Sequence, residues 1–378
     1  MARLFPQGSH RLVHRRKRKL TLRTQAGEVA VKADYGQDKQ TGKWLCPQQE
    51  IWGLGPHQKI TPLLADKLAF TVTATGSYEE AASLSAKWGC PVDDSTLHGL
   101  VQRAGAEAEE QIEQRLKETP REAEPQRQPS ELAVLLMDGW MARFRGAGWG
   151  KSKTQKPRVE WHEIKTGVYY CVEQAARADN GRGTLADKAI VSWQGQPDEL
   201  GRRLNWEALR RGLARAQDTL VLSDGAAWIW NLKADRWKRA HELLDFYHAS
   251  QHLWRVGDAL HGQGQSAPWV EARRHWMRHG KEKKVLAEIA RLKGSRGEAA
   301  KIVREEQGYF ERQKGRMNYQ AAAQRGWPIG SGAVESACRQ KQCRFKRPGQ
   351  FWSERGFRHL CSLDEARRNG HWTELWTL

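Results

Sequence analysis

The sequence predicts an α/β fold with an all-helical segment set into it ahead of its last helices. Three observations carry this. The apolar run Leu132-Ala133-Val134-Leu135-Leu136-Met137 stops at Asp138-Gly139. A second run, Leu220-Val221-Leu222-Ser223, stops at Asp224-Gly225. Short apolar runs bounded by turn residues read as buried strands. Third, Glu335 stands at the start of a predicted helix in Gly330-Ser331-Gly332-Ala333-Val334-Glu335-Ser336. Two strand ends and a helix start can gather three carboxylates at one sheet edge. Divalent metal makes such a cluster tolerable, and with metal it can perform phosphoryl transfer.

The 378 residues are enough for two or three domains, and 39% hydrophobic content supports a sizeable core. No apolar stretch approaches the roughly 20 residues a membrane span needs. The basic N-terminus is followed by no signal-peptide core, so a soluble, cytoplasmic protein is expected, with no membrane partner. Lys and Arg number 63 against 44 Asp and Glu, a net charge of +19 that points to a polyanion, nucleic acid first. None of the six cysteines forms a C-x-x-C pair, which argues against a zinc finger and for reduced thiols.

Residues 1–60 form a basic β region. Arg15, Arg16, Lys17, Arg18 and Lys19 precede an alternating stretch, Leu20–Thr24, a turn at Gly27 and then Val29–Lys32. This reads as a β-hairpin with cations available for phosphates, although residues 1–18 read equally as a basic arm. Residues 61–130 are helical and end in a linker, Pro120–Ser130. Within them Ser77 and Glu80 have capping-box spacing, Gly89-Cys90-Pro91 stops the first helix, and Asp94 or Ser95 can cap a second. The pair fits a helix-turn-helix as well as an ordinary helical hairpin.

From 131 to 248 the pattern is strand-rich. Leu132–Asp138 is the first strand, with others in 161–172 and 188–193; a helix follows over Pro197–Ala216. Leu220–Asp224 is the next strand and Ala240–Tyr247 the last, leading into a helix from about His248. Three strands, a helix, a strand tipped with Asp and a further strand make the element order of a ribonuclease H-like sheet. Residues 249–325 are helical and basic, with breaks at 262–266 and 294–297. Residues 326–378 carry Glu335 and return as helix.

Phosphodiester cleavage needs an activated oxygen nucleophile and a stabilised leaving oxygen, which two hard cations about 3.5–4 Å apart supply. Asp138 suits a bridging ligand, with Asp224 and Glu335 completing the two sites. Asp245-Phe246-Tyr247-His248 places an Asp at a strand end and a His at the next helix start. It reads as active-site support or as an ordinary helix start.

These residues carry a resemblance. The chain resembles a DDE transposase of a bacterial insertion sequence, close to the Kra-type group. The matching segments are Leu-Leu-Met-Asp138-Gly-Trp, Trp161-His-Glu-Ile-Lys165-Thr-Gly, Leu-Ser-Asp224-Gly-Ala-Ala-Trp-Ile-Trp, Asp245-Phe-Tyr-His248-Ala-Ser-Gln-His-Leu and Ile-Gly-Ser-Gly-Ala-Val-Glu335-Ser. After Glu335 come Arg344 and Lys346 in an R-x-K pattern, then Gly349 and Trp352, and the resemblance covers roughly residues 130–378. The resemblance implies a ribonuclease H-like catalytic domain interrupted by an all-helical insertion. Asp138, Asp224 and Glu335 would hold two Mg²⁺, with Mn²⁺ as substitute, and Asp245 and His248 would support the site. The implied partner is double-stranded DNA, both the element's terminal inverted repeats and the target, engaged by a homodimer or larger assembly. Arg339, Arg344 and Lys346 follow Glu335 and suit DNA-backbone contacts or a solvated basic helix, and Trp254, Trp269 or Trp276 could stack a flipped base. One departure stands out: the resemblance implies paired cysteines, often present in the N-terminal region of that group, whereas Cys46 is alone here, leaving end recognition to the hairpin and the helix pair. A structure-specific nuclease or resolvase, and a catalytically idle DNA-binding descendant, are the competing readings.

Overall fold

The computed structural model describes residues 10–55, 58–123, 125, 128–150, 158–177, 183–293 and 297–376. The protein is mixed α/β, and its chain divides into two compact units. One comprises Met1–Gln114, Phe144–Val159 and Cys343–Leu378; the other comprises Arg115–Arg143 and Glu160–Gln342. Among the described residues no helix is long and apolar enough to cross a membrane.

The first unit opens with β1 (Leu12–Thr24) and β2 (Gly27–Asp38), an antiparallel ribbon longer than the expected hairpin. The basic run Arg15–Lys19 is therefore strand, while residues 1–9 of the expected arm lie outside the described residues. Gly27, at φ 99°, closes the turn, where the Thr24 hydroxyl donates to the Gly27 carbonyl at 2.8 Å. A register slip falls between Val13 and Arg16, where His14 takes φ 50°. The short β3 (Trp44–Leu45) adds to β2.

Four helices follow: α1 (Pro47–Ile51), α2 (Pro62–Ala74), α3 (Tyr78–Lys87) and α4 (Asp94–Arg115). Ser77 caps α3 by accepting from the Glu80 N–H, while the Glu80 carboxylate reaches back to the N–H of Gly76, one residue before the cap. The cap of α4 is Asp93 and not Asp94 or Ser95: its carboxylate accepts from the Thr96 N–H at 2.8 Å and from the Ser95 hydroxyl.

The second unit is built on β4 (Leu132–Arg145), β5 (Val159–Cys171), β8 (Ala189–Gln194), β9 (Asp218–Ser223) and β10 (His241–Leu244). Two three-residue strands, β6 (Ala175–Arg177) and β7 (Gly183–Leu185), pair separately. The main sheet runs β10-β9-β4-β5-β8; β10, β9 and β4 are mutually parallel, whereas β5 and β8 are antiparallel. Helices α5 (Pro197–Arg210) and α6 (Ala227–Arg236) cover one face. Ala133, Leu135 and Met137 of β4, with Val221 of β9, meet Leu200, Leu204 and Ile229 in that core.

Three boundaries differ from the sequence expectation. The first strand does not end at Asp138 but continues to Arg145. What ends there is the parallel partner β9, whose last pair with β4 is Ser223 with Met137. The helix after Pro197 stops at Arg210, before Gly212 at φ 89°, and a short 3₁₀ turn, Leu213–Arg215, completes the expected span. The last strand covers only His241–Leu244, because Asp245 caps a helix that begins at Phe246.

That helix is α7 (Phe246–His261), and α8 (Ala267–Arg278), α9 (Glu282–Arg291), α10 (Glu298–Gln313) and α11 (Tyr319–Gln324) follow it. The expected break at 262–266 is present, with Gly262 and Gly264 at positive φ. Of the break at 294–297, only Gly297 lies among the described residues. Then come α12 (Gly332–Phe345) and, in the first unit, α13 (Glu354–Arg368).

Candidate active site

In a strand, alternate residues share a face. Leu135 and Met137 of β4 point to the α5/α6 core, so Asp138 points to the opposite face. The last paired residues are Met137 and Ser223, so Asp138 is the next residue of β4 and Asp224 the first residue past the end of β9. Both are half-buried. Glu335 is exposed in the first turn of α12, with the Ser331 hydroxyl 3.3 Å from its carboxylate.

The three groups feel one another. The Asp138 carboxyl is held above its ordinary value, first by burial and then by the negative charges of Asp224 and Glu335. The Gly139 N–H, 2.6 Å from Asp138 Oδ1, and the Cys338 thiol oppose that rise by hydrogen bonding. Cys338 also receives a hydrogen bond from Thr166, whose hydroxyl accepts from the Trp140 indole at 3.0 Å and lies 3.0 Å from Ser192 Oγ. A buried polar chain thus backs Asp138 from β5, β8 and α12. As the side chains stand, no three His, Cys, Asp or Glu among the described residues close into a metal-holding group. The donor set, hard carboxylate oxygens in mutual repulsion, is of the kind a divalent cation relieves.

Asp245 is buried and does two things. Oδ1 accepts from the His248 N–H at 2.7 Å, capping α7; Oδ2 accepts from the Ser331 N–H, just ahead of α12. The Phe246 N–H also donates to the Ile329 carbonyl at 2.9 Å. The segment that delivers Glu335 is thereby stitched to the end of β10.

His248 is half-buried, and burial lowers its pKa, so the imidazole is neutral near pH 7. Its Nε2 lies 3.1 Å from Nε2 of His252, whose Nδ1 meets the fully buried Glu306. A proton on His252 Nδ1 satisfies Glu306 and leaves Nε2 to accept from His248. The His252 ring stacks on Tyr309 at 3.5 Å and 11°. Tyr309 in turn donates to the Asp224 carbonyl at 3.1 Å, and the Gln313 amide donates to the Gly225 carbonyl at 2.9 Å. Helix α10 therefore clasps the turn that carries Asp224. Glu306, Tyr309 and Gln313 are not identifiable in the sequence; their ordinary helical spacing carries no signal of partners 54, 85 and 88 residues away.

A profile of the uncharacterised protein family UPF0236 matches residues 7–375. The chain belongs to this family. No curated protein matches it. Among solved structures it is similar to the Drosophila P element transposase strand transfer complex, with a TM-score of 0.26 and 12% identity over 82% of this chain and 80% of that one.

The basic residues of this UPF0236 member fall into distinct environments. Arg15, Arg16, Lys17, Arg18 and Lys19 are all exposed on β1, and Arg339 is exposed on α12. Lys346 is half-buried. Arg344 departs from the expected phosphate contact. It is only 5% exposed, its Nε donates to the Val72 carbonyl at 3.2 Å, and its guanidinium lies 5.2 Å from the Tyr78 ring. Packing among α2, the start of α3 and Trp352 takes it out of solvent. Trp254, Trp269 and Trp276 are half-buried, and Arg273 lies over Trp269 at 4.1 Å and Trp276 at 5.2 Å.

Proposed function

We propose that this chain is a DDE transposase of the Kra-type group, acting at insertion-sequence ends through a ribonuclease H-like domain that an all-helical insertion interrupts. The observation that carries the reading is the placement of Asp138 on β4 and Asp224 just past the end of the adjacent β9, with Asp224 and Glu335 both close enough to bear on the Asp138 carboxyl. The sheet order, with a long first strand at the centre, an antiparallel arm on one side and two parallel strands on the other, supports the fold assignment. The helices from α7 to α11 form the insertion.

Asp138, Asp224 and Glu335 would hold two Mg²⁺, or Mn²⁺ in their place. When bound, the ions supply Lewis-acid stabilisation of the attacking and leaving oxygens. The protein's own groups set the geometry. Cys338 and the Gly139 N–H orient Asp138, the α10 clasp fixes the backbone at Asp224, and Asp245 fixes the approach to Glu335. Water attacks the phosphodiester at the element end, and the bond to the 3′ oxygen breaks, leaving a 3′-hydroxyl. That hydroxyl attacks a target phosphodiester in line, forming the new bond as the target's 3′ oxygen leaves. The substrate is double-stranded DNA, paired by a homodimer or larger assembly in the cytoplasm at the nucleoid.

The test is strand joining by the full chain in Mg²⁺, with duplexes taken from the DNA flanking its gene and a plasmid target. Joined product that disappears in Asp138→Ala, Asp224→Ala and Glu335→Ala is expected. Cleavage of branched DNA without joining would replace this reading with a structure-specific nuclease or resolvase. Binding without chemistry in either metal would leave a catalytically idle DNA-binding protein.

A further inference from the structure

The first unit offers two candidates for gripping a duplex, the β1–β2 ribbon and the α3–α4 pair, and their electrostatics differ. Helix α4 carries Asp94, Glu107, Glu109, Glu110 and Glu113 against Arg103 and Arg115. Asp93 caps it, and Glu79 and Glu80 lie in the first turn of α3. Phosphates are repelled by such a surface. The apolar stripe Leu97, Leu100, Val101, Ala104 and Ala108 is buried, and a Cβ at Gly105 would stand 2.6 Å from the His359 carbonyl oxygen of α13. Helix α4 is thus a packing spine of its unit.

Strand β1 carries six Lys and Arg and no carboxylate: Arg15, Arg16, Lys17, Arg18, Lys19 and Arg23. Lys19 lies directly opposite Lys32 in the ladder, and both are exposed. Like charges facing across a ladder destabilise it, and among the described residues no carboxylate pairs with either. Folding gives no reason for that pair; a polyanion does. On the other face Arg16 lies 5.2 Å and Arg18 5.1 Å from the Tyr35 ring, which holds both guanidinium groups in place before any ligand arrives. Trp44, 48% exposed, stacks on Tyr35 at 5.5 Å and extends the plate.

We propose that the β1–β2 ribbon is the element that seats duplex DNA, with Arg16 and Arg18 braced on Tyr35 and Trp44, and with Lys19 and Lys32 on phosphates, and that α4 does not enter the groove. A two-stranded ribbon fits a major groove about 12 Å wide. At roughly 3.3 Å per residue, the run Arg15–Lys19 spans about 15 Å, near half a helical turn of DNA. The inference rests on the function proposed above only in its choice of polyanion.

The experiment titrates the full chain against a fluorescein-labelled duplex of mixed sequence, about 40 base pairs long, between about 50 and 200 mM salt. For Lys19→Ala with Lys32→Ala, the slope of log affinity against log salt falls by about 2. Arg16→Ala with Arg18→Ala, or Trp44→Ala, weakens binding about ten-fold at fixed salt. Arg103→Ala with Arg115→Ala leaves both readouts unchanged. Matching thermal melts keep unfolding from imitating these losses. Wild-type affinity in the ribbon variants, a larger loss in the α4 variant, or tighter binding to a single strand of the same length each overturns the inference. A protein that seats the duplex through the ribbon yet joins no DNA refutes the transposase reading and leaves this one standing. Ribbon variants that still bind and join do the reverse.

Discussion

The Asp245 carboxylate takes the backbone N–H of Ser331, 86 residues further along the chain, on one oxygen while the other caps α7. Both edges of the helical stretch between β10 and α12 are therefore tied to one buried acid. Such a stretch can vary in length without moving Glu335, because loop length itself costs only logarithmically in closure entropy.

Replacing this acid separates its roles. Asp245→Asn keeps an oxygen for the His248 cap but turns an NH₂ toward the Ser331 N–H. Asp245→Ala removes both acceptors and leaves a buried donor unpaired. Urea unfolding is expected to show a loss of about 2–4 kcal/mol for Ala and less for Asn. Joining activity is expected to fall sharply in both, since both free the segment ahead of Glu335. Full activity in the Asn variant would show that Ser331 needs no acceptor.

Tyr309→Phe tests the clasp on Asp224. It deletes one hydroxyl and keeps the stack on His252, so stability is expected to change by about 1 kcal/mol. The Asp224 turn loses its tether, and strand joining is expected to fall about ten-fold with little change in melting temperature. Gln313→Ala, which frees the Gly225 carbonyl, should act in the same direction. Equal losses of activity and stability would instead mark Tyr309 as ordinary core.

Asp138 gives a pH-dependent stability of determinate sign. Its folded-state pKa lies above the ordinary carboxylate value because of burial, with Asp224 and Glu335 adding repulsion. Between those two values the native state binds more protons than the unfolded chain, so stability falls as pH rises through the window and stays lower above it. Asp138→Asn carries no charge to desolvate and is expected to melt above the wild type at about pH 7 in EDTA. The gap should close below about pH 4, where the wild-type carboxyl is also neutral. Mn²⁺ should raise the melting temperature of the wild type and leave that of the Asp138→Asn variant unmoved. A variant no more stable than the wild type in EDTA would show that the cluster is not strained.

The buried strands are legible in the sequence because each is apolar over several residues and bounded by a turn signal. The end of β4 is not. After Asp138 the pattern changes from continuous burial to alternation, with Trp140, Ala142 and Phe144 inside, because the strand outlives its partner β9. The Asp-Gly pair marks where the ladder narrows, which imitates a strand end in sequence. Helix α7 starts two residues earlier than its sequence pattern suggests, because a cap and a strand end look alike at Asp245. Glu306, Tyr309 and Gln313 reach the Asp224 turn and its neighbours only through tertiary packing, which local pattern cannot reveal.

Arg344 sharpens the same lesson and can be tested directly. In the sequence it belongs to a basic run after Glu335 and suits a phosphate contact. In the fold its Nε and Nη1 donate to the carbonyls of Val72 and Gly76 at the end of α2, and burial lowers its pKa. A lysine cannot reproduce the planar fork that makes two such bonds. Arg344→Lys is therefore expected to cost about 2–4 kcal/mol in urea unfolding, through unpaired carbonyls and a poorly solvated ammonium. The fraction that remains folded should bind duplex DNA with an unchanged salt slope, because no phosphate contact has been removed. A variant with wild-type stability and a slope reduced by about 1 would restore Arg344 to the DNA interface.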